Sequence, residues 1–233
     1  MEWGNTENGP TTSGFGLDVA CARADELDDL CAKFVAELFG QTGIAPRVLD
    51  VGCGAFGQSK RLCAAGAVVT AVDINPRLSS TYSNFASQML KDRITFICDD
   101  VRSMAFEGTN SAFDVIYSQR MLHYLKWNDA LALLKKLTSA SRPNARFFCS
   151  VSGLQSELGR GYTDASLPVT DRFCMVAPDT AHRHQIFEPL CLYTMNEFNQ
   201  LLARADLRVV RVWQSPFGNI KAICETSHGK SLK

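Results

Sequence analysis

The segment Arg47–Ser59, RVLDVGCGAFGQS, joins an apolar run to a glycine-rich turn, and it restricts the possible folds more than any other part of the chain. The letters RVLDV predict a buried strand. Gly52 and Gly54 permit backbone torsion angles that a Cβ would forbid, so the turn can pass close beneath a ligand. The first amide groups of a helix beginning after the turn would face the same ligand. The segment therefore predicts a strand, a ligand-binding turn and a helix.

A second apolar run, Ala67–Asp73, reads AVVTAVD and ends on a carboxylate. Asp73 comes 21 residues after Gly52, which places it at the end of the next predicted strand. A carboxylate in that place can accept hydrogen bonds from both hydroxyl groups of a ribose. The turn and the carboxylate together predict a site for an adenosine-containing cofactor.

Two kinds of cofactor fit such a site. Gly52, Gly54 and Gly57 spell G-x-G-x-x-G, the pattern typical of NAD(P)-dependent oxidoreductases. Asp50, however, lies within the turn, where its carboxylate would repel a diphosphate and attract a cationic ligand. None of the five tyrosines is followed by a lysine four residues later, so the sequence lacks the catalytic pair of short-chain dehydrogenases. The oxidoreductase is the less favoured alternative.

The letters D-V-G-C-G in this turn resemble motif I of the class I S-adenosylmethionine-dependent methyltransferases. The resemblance continues through three later segments and covers about residues 45 to 225: ITFICDDV at 94–101, FDVIYSQRMLHYL at 113–125 and RPNARFF at 142–148. In the last of these, Asn144 replaces the glycine usual in the family, and asparagine tolerates a left-handed backbone. Phe56 stands where the family often has a third glycine, so Gly57 is the candidate for that role.

The resemblance implies a methyltransferase whose cofactor is S-adenosylmethionine. It places Asp73 on the ribose and Asp100 beside the adenine, with the backbone amide of Val101. The full set of predicted cofactor-binding residues is Asp50, Gly52, Cys53, Gly54, Gly57, Asp73, Ile74, Asp100, Val101 and Ser118. A subunit that binds S-adenosylmethionine without catalysis is the main alternative, since a fold does not guarantee an activity.

Alternating strands and helices predict an α/β fold with a doubly wound, mostly parallel seven-stranded sheet, helices on both faces and one domain over residues 1–233. Only a Ser-Pro-Phe-Gly-Asn turn separates the last two strands, so these form a hairpin with an antiparallel C-terminal strand. The predicted strands are 47–51, 68–73, 94–99, 113–118, 146–151, 208–214 and 220–225. The predicted helices are 18–39, 59–65, 77–90, 127–140 and 194–205.

An insertion of 42 residues, 152–193, separates the fifth strand from its helix, where compact α/β units use a much shorter loop. Long loops at the carboxyl ends of strands often carry function. We expect this insertion and residues 1–17 to form a lid over an acceptor pocket. An excursion that only packs on the sheet edge is the alternative. The predicted acceptor-binding residues are Arg120, Arg160, Tyr162, Arg172 and His182.

His123 follows the fourth strand, close to the expected position of the transferred methyl group, and is the candidate general base. Transfer from a sulfonium needs little covalent help, because the leaving group is neutral; alignment and proton removal remain. Histidine at this turn is also frequent in the resembling family as a packing and hydrogen-bonding residue, which is the alternative role.

The composition of the chain limits the kinds of ligand and partner that we expect it to bind. Lysine plus arginine and aspartate plus glutamate number 24 each, without a long run of either sign, which disfavours nucleic acid as a partner. The nine cysteines include no C-x-x-C pair, so we expect no metal. No apolar run is long enough for a membrane span and the amino terminus lacks a secretory signal, so we expect a cytoplasmic protein. The sequence predicts a small-molecule acceptor, with an anionic group indicated by the arginines of the insertion, and leaves the oligomeric state open.

Overall fold

The computed structural model describes Phe15 and residues 25–85, 88–106 and 112–226. Seven strands form one sheet in the order β3-β2-β1-β4-β5-β7-β6. Strands β1 to β5 are parallel, and β7 is antiparallel to both β5 and β6. The strands are β1 Arg47–Val51, β2 Val68–Asp73, β3 Ile94–Cys98, β4 Phe113–Gln119, β5 Ser141–Ser152, β6 Leu207–Gln214 and β7 Asn219–Thr226. The predicted mostly parallel sheet with its C-terminal hairpin is confirmed.

Helices cover both faces of the sheet, and each face has its own apolar core. Leu27, Leu62 and Leu78 pack from one side, and Leu134 and Phe198 pack from the other. The helices are α1 Glu26–Thr42, α2 Gly57–Ala64, α3 Leu78–Ser83, α4 Gln88–Arg93, α5 Trp127–Ser139, α6 Pro178–His184 and α7 Met195–Arg204. In the described part of the chain, no helix has the length and apolar character of a membrane span.

Two helix predictions need correction. α1 begins at Glu26, because Asp25 has an extended backbone and its side chain accepts hydrogen bonds from the amides of Leu27 and Asp28, which caps the helix. Residues 18–24 of the predicted helix 18–39 lie outside the described residues. The predicted helix 77–90 is interrupted. α3 ends at Ser83, and Phe85 turns into the core beside Phe56, with ring centroids 5.1 Å apart.

Phe56 provides a left-handed residue at the start of α2 without being a glycine. Its φ is 67°, and its side chain is fully buried against the rings of Tyr82, Phe85 and Phe96. A left-handed backbone costs a residue with a Cβ about 1–2 kcal/mol, which burial of a phenyl ring can offset. Gly57 is then the first residue of the helix. Asn144 also has a positive φ, 63°, as its place in the sequence predicted.

The insertion has a small apolar core of its own, formed by Leu158, Tyr162, Val176, Ala181, Ile186, Leu190 and Leu192. Its first residues pack on the β6–β7 turn. A Cβ on Gly218 would lie 2.5 Å from the backbone nitrogen of Ser156, and Gly218 has a φ of 80°. The hairpin turn and the insertion therefore depend on a close backbone contact that only glycine permits.

Replacing that glycine tests the contact. We expect Gly218→Ala to lower the free energy of unfolding by about 1–3 kcal/mol, because the new methyl group meets backbone and the residue must keep a positive φ. Gly40→Ala, in α1, is the matched control: nothing lies within 4 Å of its added Cβ, so we expect it to be neutral or to stabilise. Urea denaturation measures both, and equal midpoints for the two variants would contradict the close contact.

Candidate active site

A cavity of about 680 Å³ lies at the carboxyl edge of the parallel strands, between the sheet and the insertion. This is the edge at which α/β sheets bind ligands, and the volume is in the range of small-molecule sites. We call the part lined by Asp50, Gly52, Gly54, Asp73 and Asp100 the cofactor end. We call the part lined by Phe15, Arg120, Tyr124, Arg183 and His184 the acceptor end.

The glycine turn is attached to the adjacent strand through one carbonyl. The amides of Gly52 and Cys53 both donate to the oxygen of Val72, at 2.8 and 3.1 Å. Gly52 has a φ of 74°, and a Cβ there would lie 2.7 Å from Cγ of Met121. Cys53 is buried, and its thiol donates to the oxygen of Gly54. The turn thus has no room for a side chain at Gly52 on the side of Met121, and its other side faces the cavity.

Asp73 is fixed by backbone amides before any ligand binds. Its Oδ2 accepts from the amide of Gly54 at 3.0 Å, and its Oδ1 accepts from the amide of Asn75 at 2.9 Å. A carboxylate oxygen can accept more than one hydrogen bond, so these amide contacts are compatible with a ribose hydroxyl as a further donor. Ile74 is 49% exposed and lines the cavity beside Asp73, where it offers an apolar surface. Both residues therefore line the cavity, and their contacts with a cofactor stay a prediction.

Two further carboxylates line the cofactor end. Asp50 is buried and accepts a hydrogen bond from the hydroxyl of Ser59. Asp100 binds the guanidinium of Arg102 through Nε and Nη2, and this hydrogen-bonded pair lowers the pKa of the Asp100 carboxyl. Val101 also lines the cavity, as predicted.

Two predicted cofactor residues lie outside the cavity. Gly57 is turned into the start of α2. Ser118 is buried in β4, and because side chains alternate along a strand, its neighbours Tyr117 and Gln119 reach the cavity instead. The predicted position of Ser118 in the cavity wall is therefore wrong, and Tyr117 and Gln119 stand there.

Tyr117 and Gln119 belong to a buried polar network that sequence reasoning missed. The hydroxyl of Tyr117 lies between the carboxylate of Asp28 and Oε1 of Gln119. Nε2 of Gln119 donates to Asp25 at 2.6 Å, and the ammonium group of Lys221 lies 3.0 Å from the same carboxylate. Burial raises the pKa of Asp28. The network fastens the first turn of α1 to the ends of β4 and β7, beside the cavity.

Most of the predicted acceptor-binding residues do not line the cavity. Arg120 does line the cavity. Arg160 and His182 are exposed outside it, and the ring of His182 packs against Phe187. Tyr162 is buried in the core of the insertion, where its hydroxyl donates to the oxygen of Leu190.

Arg172 has a structural role instead of the predicted acceptor contact. It is 4% exposed, and its guanidinium donates to both carboxylate oxygens of Glu197 and to the carbonyl oxygens of Leu192 and Leu167. These bonds hold the insertion against the start of α7. The guanidinium charge that was predicted to bind an acceptor is paired with Glu197 instead.

Other residues of the insertion form the wall of the acceptor end. Arg183 and His184 follow His182 in α6 and line the cavity, together with Ser156, Glu157, Leu158 and Ile186. Successive helical residues are separated by about 100°, so neighbours in one short helix face different ways. Of the predicted amino-terminal lid, only Phe15 is among the described residues. It forms an antiparallel bridge with Ile186, and its oxygen accepts from the hydroxyl of Tyr124 at 2.6 Å.

His123 lines the cavity but is only 2% exposed. Its Nδ1 accepts a hydrogen bond from the amide of Ser152 at 3.1 Å, so the neutral ring carries its proton on Nε2. Burial, with the nearby charge of Arg120, lowers the pKa of His123 to about 3. Its carbonyl oxygen accepts from the amide of Cys191 at 2.8 Å. This arrangement argues against a general base and favours the alternative role, a neutral residue that joins β5 to the insertion.

Comparison with known proteins finds similarity over the first part of the sheet. Residues 48–144 match a family model described as a methyltransferase domain. The ubiquinone biosynthesis O-methyltransferase of Coxiella burnetii is 30% identical over 103 residues. The matched segment spans 44% of this chain and 42% of the relative, so the chain matches less than half of that protein's length.

Solved structures share the fold over most of the chain. One is a Burkholderia thailandensis 1,6-didemethyltoxoflavin-N1-methyltransferase with bound 1,6-didemethyltoxoflavin and S-adenosylhomocysteine; the TM-score is 0.60 at 18% identity, with 87% of this chain and 79% of that chain covered. Another is a Synechocystis PCC 6803 magnesium protoporphyrin IX methyltransferase with bound S-adenosylhomocysteine, with a TM-score of 0.59 at 17% identity and coverage of 86% and 84%.

The buried imidazole of His123 makes stability depend on pH. Because its pKa is about 3 in the folded protein and 6.5 in the unfolded chain, the unfolded state binds the proton more readily as the pH falls below 6.5. From pH 7 to pH 5, protonation of this group in the unfolded state should lower the free energy of unfolding by about 2 kcal/mol. His123→Asn keeps an acceptor for the Ser152 amide but cannot titrate. We therefore expect the difference in free energy of unfolding between the wild type and His123→Asn to become smaller by about 2 kcal/mol from pH 7 to pH 5. Parallel pH curves from urea denaturation would contradict a neutral buried ring.

Proposed function

We propose that this chain is a class I S-adenosylmethionine-dependent methyltransferase that transfers the methyl group to a small organic acceptor with an anionic group. The methyltransferase-domain match at residues 48–144 and the fold shared with solved methyltransferases support the proposal. The observation that carries the proposal is the cofactor end of the cavity. There the glycine turn, the buried Asp50 and the amide-bound Asp73 meet at the edge of the sheet.

The charges of the cofactor end suit this ligand. S-adenosylmethionine carries a sulfonium and an ammonium group, and when bound it supplies an activated methyl group. Asp50 and Asp73 line the cavity as carboxylates, and a diphosphate placed there would meet negative charge at short range. The carboxylate of Asp73 is already oriented, so binding a ribose requires little further ordering of the protein.

The acceptor end carries two guanidinium groups in addition to the carboxylate of Glu157. Arg120 and Arg183 line it, and in the described part of the chain neither forms an ion pair with a carboxylate. Phe15, Tyr124 and Ile186 provide apolar surface beside these guanidinium groups. Aromatic and aliphatic walls with a few placed charges are typical of sites for small amphipathic molecules. The names of the relatives, which refer to ubiquinone biosynthesis and to 1,6-didemethyltoxoflavin, support a small-molecule acceptor.

The protein's part in the reaction is alignment and exclusion of water. The glycine turn and Asp73 hold one reactant, the two arginines hold the other, and the insertion covers the gap between them as a lid within a single domain. A neutral leaving group requires no oxyanion stabilisation, so positioning of the acceptor atom in line with the methyl group is the main contribution.

Binding tests the cofactor. We expect calorimetric titration to show micromolar binding of S-adenosylmethionine and S-adenosylhomocysteine and none of a nicotinamide dinucleotide. Asp73→Ala should weaken the first two by about 1.5–3 kcal/mol, because hydrogen bonds to a charged group are lost. Asp171→Ala, at an exposed site of the insertion, should bind as wild type.

Several results would contradict the cofactor assignment. An unchanged dissociation constant in Asp73→Ala would remove Asp73 from the site, provided that urea denaturation shows the variant to be folded. Binding of the dinucleotide alone would favour the oxidoreductase. Tight binding of S-adenosylmethionine without turnover of any acceptor would favour a non-catalytic binding protein.

The acceptor class is tested with a panel of small phenolic carboxylic acids beside the neutral carboxamides of the same phenols, so that every member keeps a hydroxyl group and only the charge differs. We expect methylation to be limited to anionic members. Arg120→Gln and Arg183→Gln should each raise KM about 10- to 100-fold, the equivalent of a lost charged hydrogen bond, with smaller effects on kcat. Arg160→Gln is the matched control, since Arg160 is exposed outside the cavity. Equal use of neutral and anionic members would overturn the anionic acceptor.

A further inference from the structure

The structure leaves the proposed reaction without its predicted proton acceptor. Methylation of a hydroxyl group releases a proton, and a side chain near the acceptor commonly takes it. His123 is poorly suited, because its Nδ1 already accepts the Ser152 amide and its ring is buried. A second histidine, His184, lines the acceptor end.

His184 is paired with a carboxylate. Its Nε2 lies 3.2 Å from Oε2 of Glu157, and the two side chains are 28% and 58% exposed. Nε2 is buried and has no well-oriented hydrogen bond in the described part of the chain. The Glu157 carboxylate is close enough to accept one after a small rotation of either side chain. No described residue forms a hydrogen bond to Nδ1 of His184. The ring thus has one nitrogen beside a carboxylate and the other available to a ligand.

We infer that His184 and Glu157 form a proton-accepting dyad for the acceptor, with His184 as the general base and Glu157 as the residue that orients its ring and stabilises its protonated form. The inference rests on the proposed function and deepens it. The sequence predicted His123, after the fourth strand, as the base, whereas the inference assigns this role to His184 in α6 of the insertion.

The proton balance is simple. As the acceptor oxygen forms a bond to the methyl carbon, the carbon–sulfur bond breaks and its electron pair stays on sulfur, which becomes a neutral thioether. The hydroxyl proton passes to Nδ1 of His184. The imidazolium, with Nε2–H directed at Glu157, then releases that proton to solvent. A carboxylate behind an imidazole is the usual way to hold the ring in one tautomer.

The charges around His184 set its basicity. Burial lowers its pKa, the carboxylate of Glu157 raises it, and the guanidinium groups of Arg183 and Arg120 lower it. His184 is therefore neutral near pH 7 and able to accept a proton. An anionic acceptor bound between the two arginines would offset their charge and raise the pKa of His184, so the base becomes stronger when its substrate is present.

The first test needs no turnover. NMR titration of the histidine side chains follows the full-length protein saturated with S-adenosylhomocysteine, with the His184 signals assigned by their loss in His184→Gln. We expect the Nε2–H tautomer in the neutral ring, and Glu157→Gln should lower the pKa of His184 by about half a pH unit. Glu188→Gln removes the same charge from another exposed site in the insertion and should leave it unchanged. A pKa insensitive to Glu157→Gln, or an Nδ1–H tautomer, would overturn the dyad.

The second test uses turnover of the phenolic acids in the acceptor panel. We expect His184→Gln to lower kcat about 100-fold or more and to remove the ascending limb of the pH–rate profile, with the affinity for S-adenosylhomocysteine unchanged. Glu157→Gln should lower kcat about tenfold. His182→Gln, two residues away in the same helix but outside the cavity, should react at the wild-type rate.

The outcomes separate the dyad from the proposed function. A wild-type kcat and pH profile in His184→Gln would overturn the dyad and leave the methyltransferase intact. Absence of S-adenosylmethionine binding would overturn the proposed function. If the wild-type protein binds the cofactor but methylates no member of the panel, the acceptor class is wrong, and the NMR result decides whether the dyad exists.

Discussion

The candidate site depends on the oxygen of Val72, which accepts hydrogen bonds from two successive amides of the glycine turn. That carbonyl fixes the position of the turn relative to β2. The next residue, Asp73, then reaches back to the amide of Gly54, so strand and turn hold each other through three hydrogen bonds. A carboxylate that is oriented in this way can discriminate a ribose without waiting for the ligand to organise it. The rest of the cavity is built outward from this joint.

The two ends of the cavity are made from different kinds of structure. Strand ends and a short turn form the cofactor end, and their positions follow from the parallel sheet. An insertion, a hairpin turn and Phe15 form much of the acceptor end. The sign of charge changes between them, from the carboxylates of Asp50 and Asp73 to the guanidinium groups of Arg120 and Arg183. A field of this form orients a ligand pair whose charges are opposite to those of the walls.

The sequence was sufficient to predict the local structure where it depends on neighbours along the chain. The strand, the glycine turn and Asp73 lie within one βαβ unit, so their spacing alone fixes their geometry. It failed in the insertion, because α6 has only seven residues and no periodic pattern shows which of its side chains face inward. It also missed the network of Asp25 and Gln119, which are 94 residues apart. The choice of nitrogen in His123 depends on the Ser152 amide, a contact that no local motif encodes.

The separate apolar core of the insertion has a consequence for how such a protein can change. Leu158, Tyr162 and Leu190 pack on one another. The Arg172–Glu197 ion pair joins this unit to α7, and the hydrogen bond from the Cys191 amide to the oxygen of His123 joins it to the segment after β4. Substitutions in α6 can therefore alter the acceptor wall without disturbing the glycine turn or its strands. Selection for a new acceptor and retention of the cofactor site can proceed in parallel, since the two properties reside in separately packed parts of one chain.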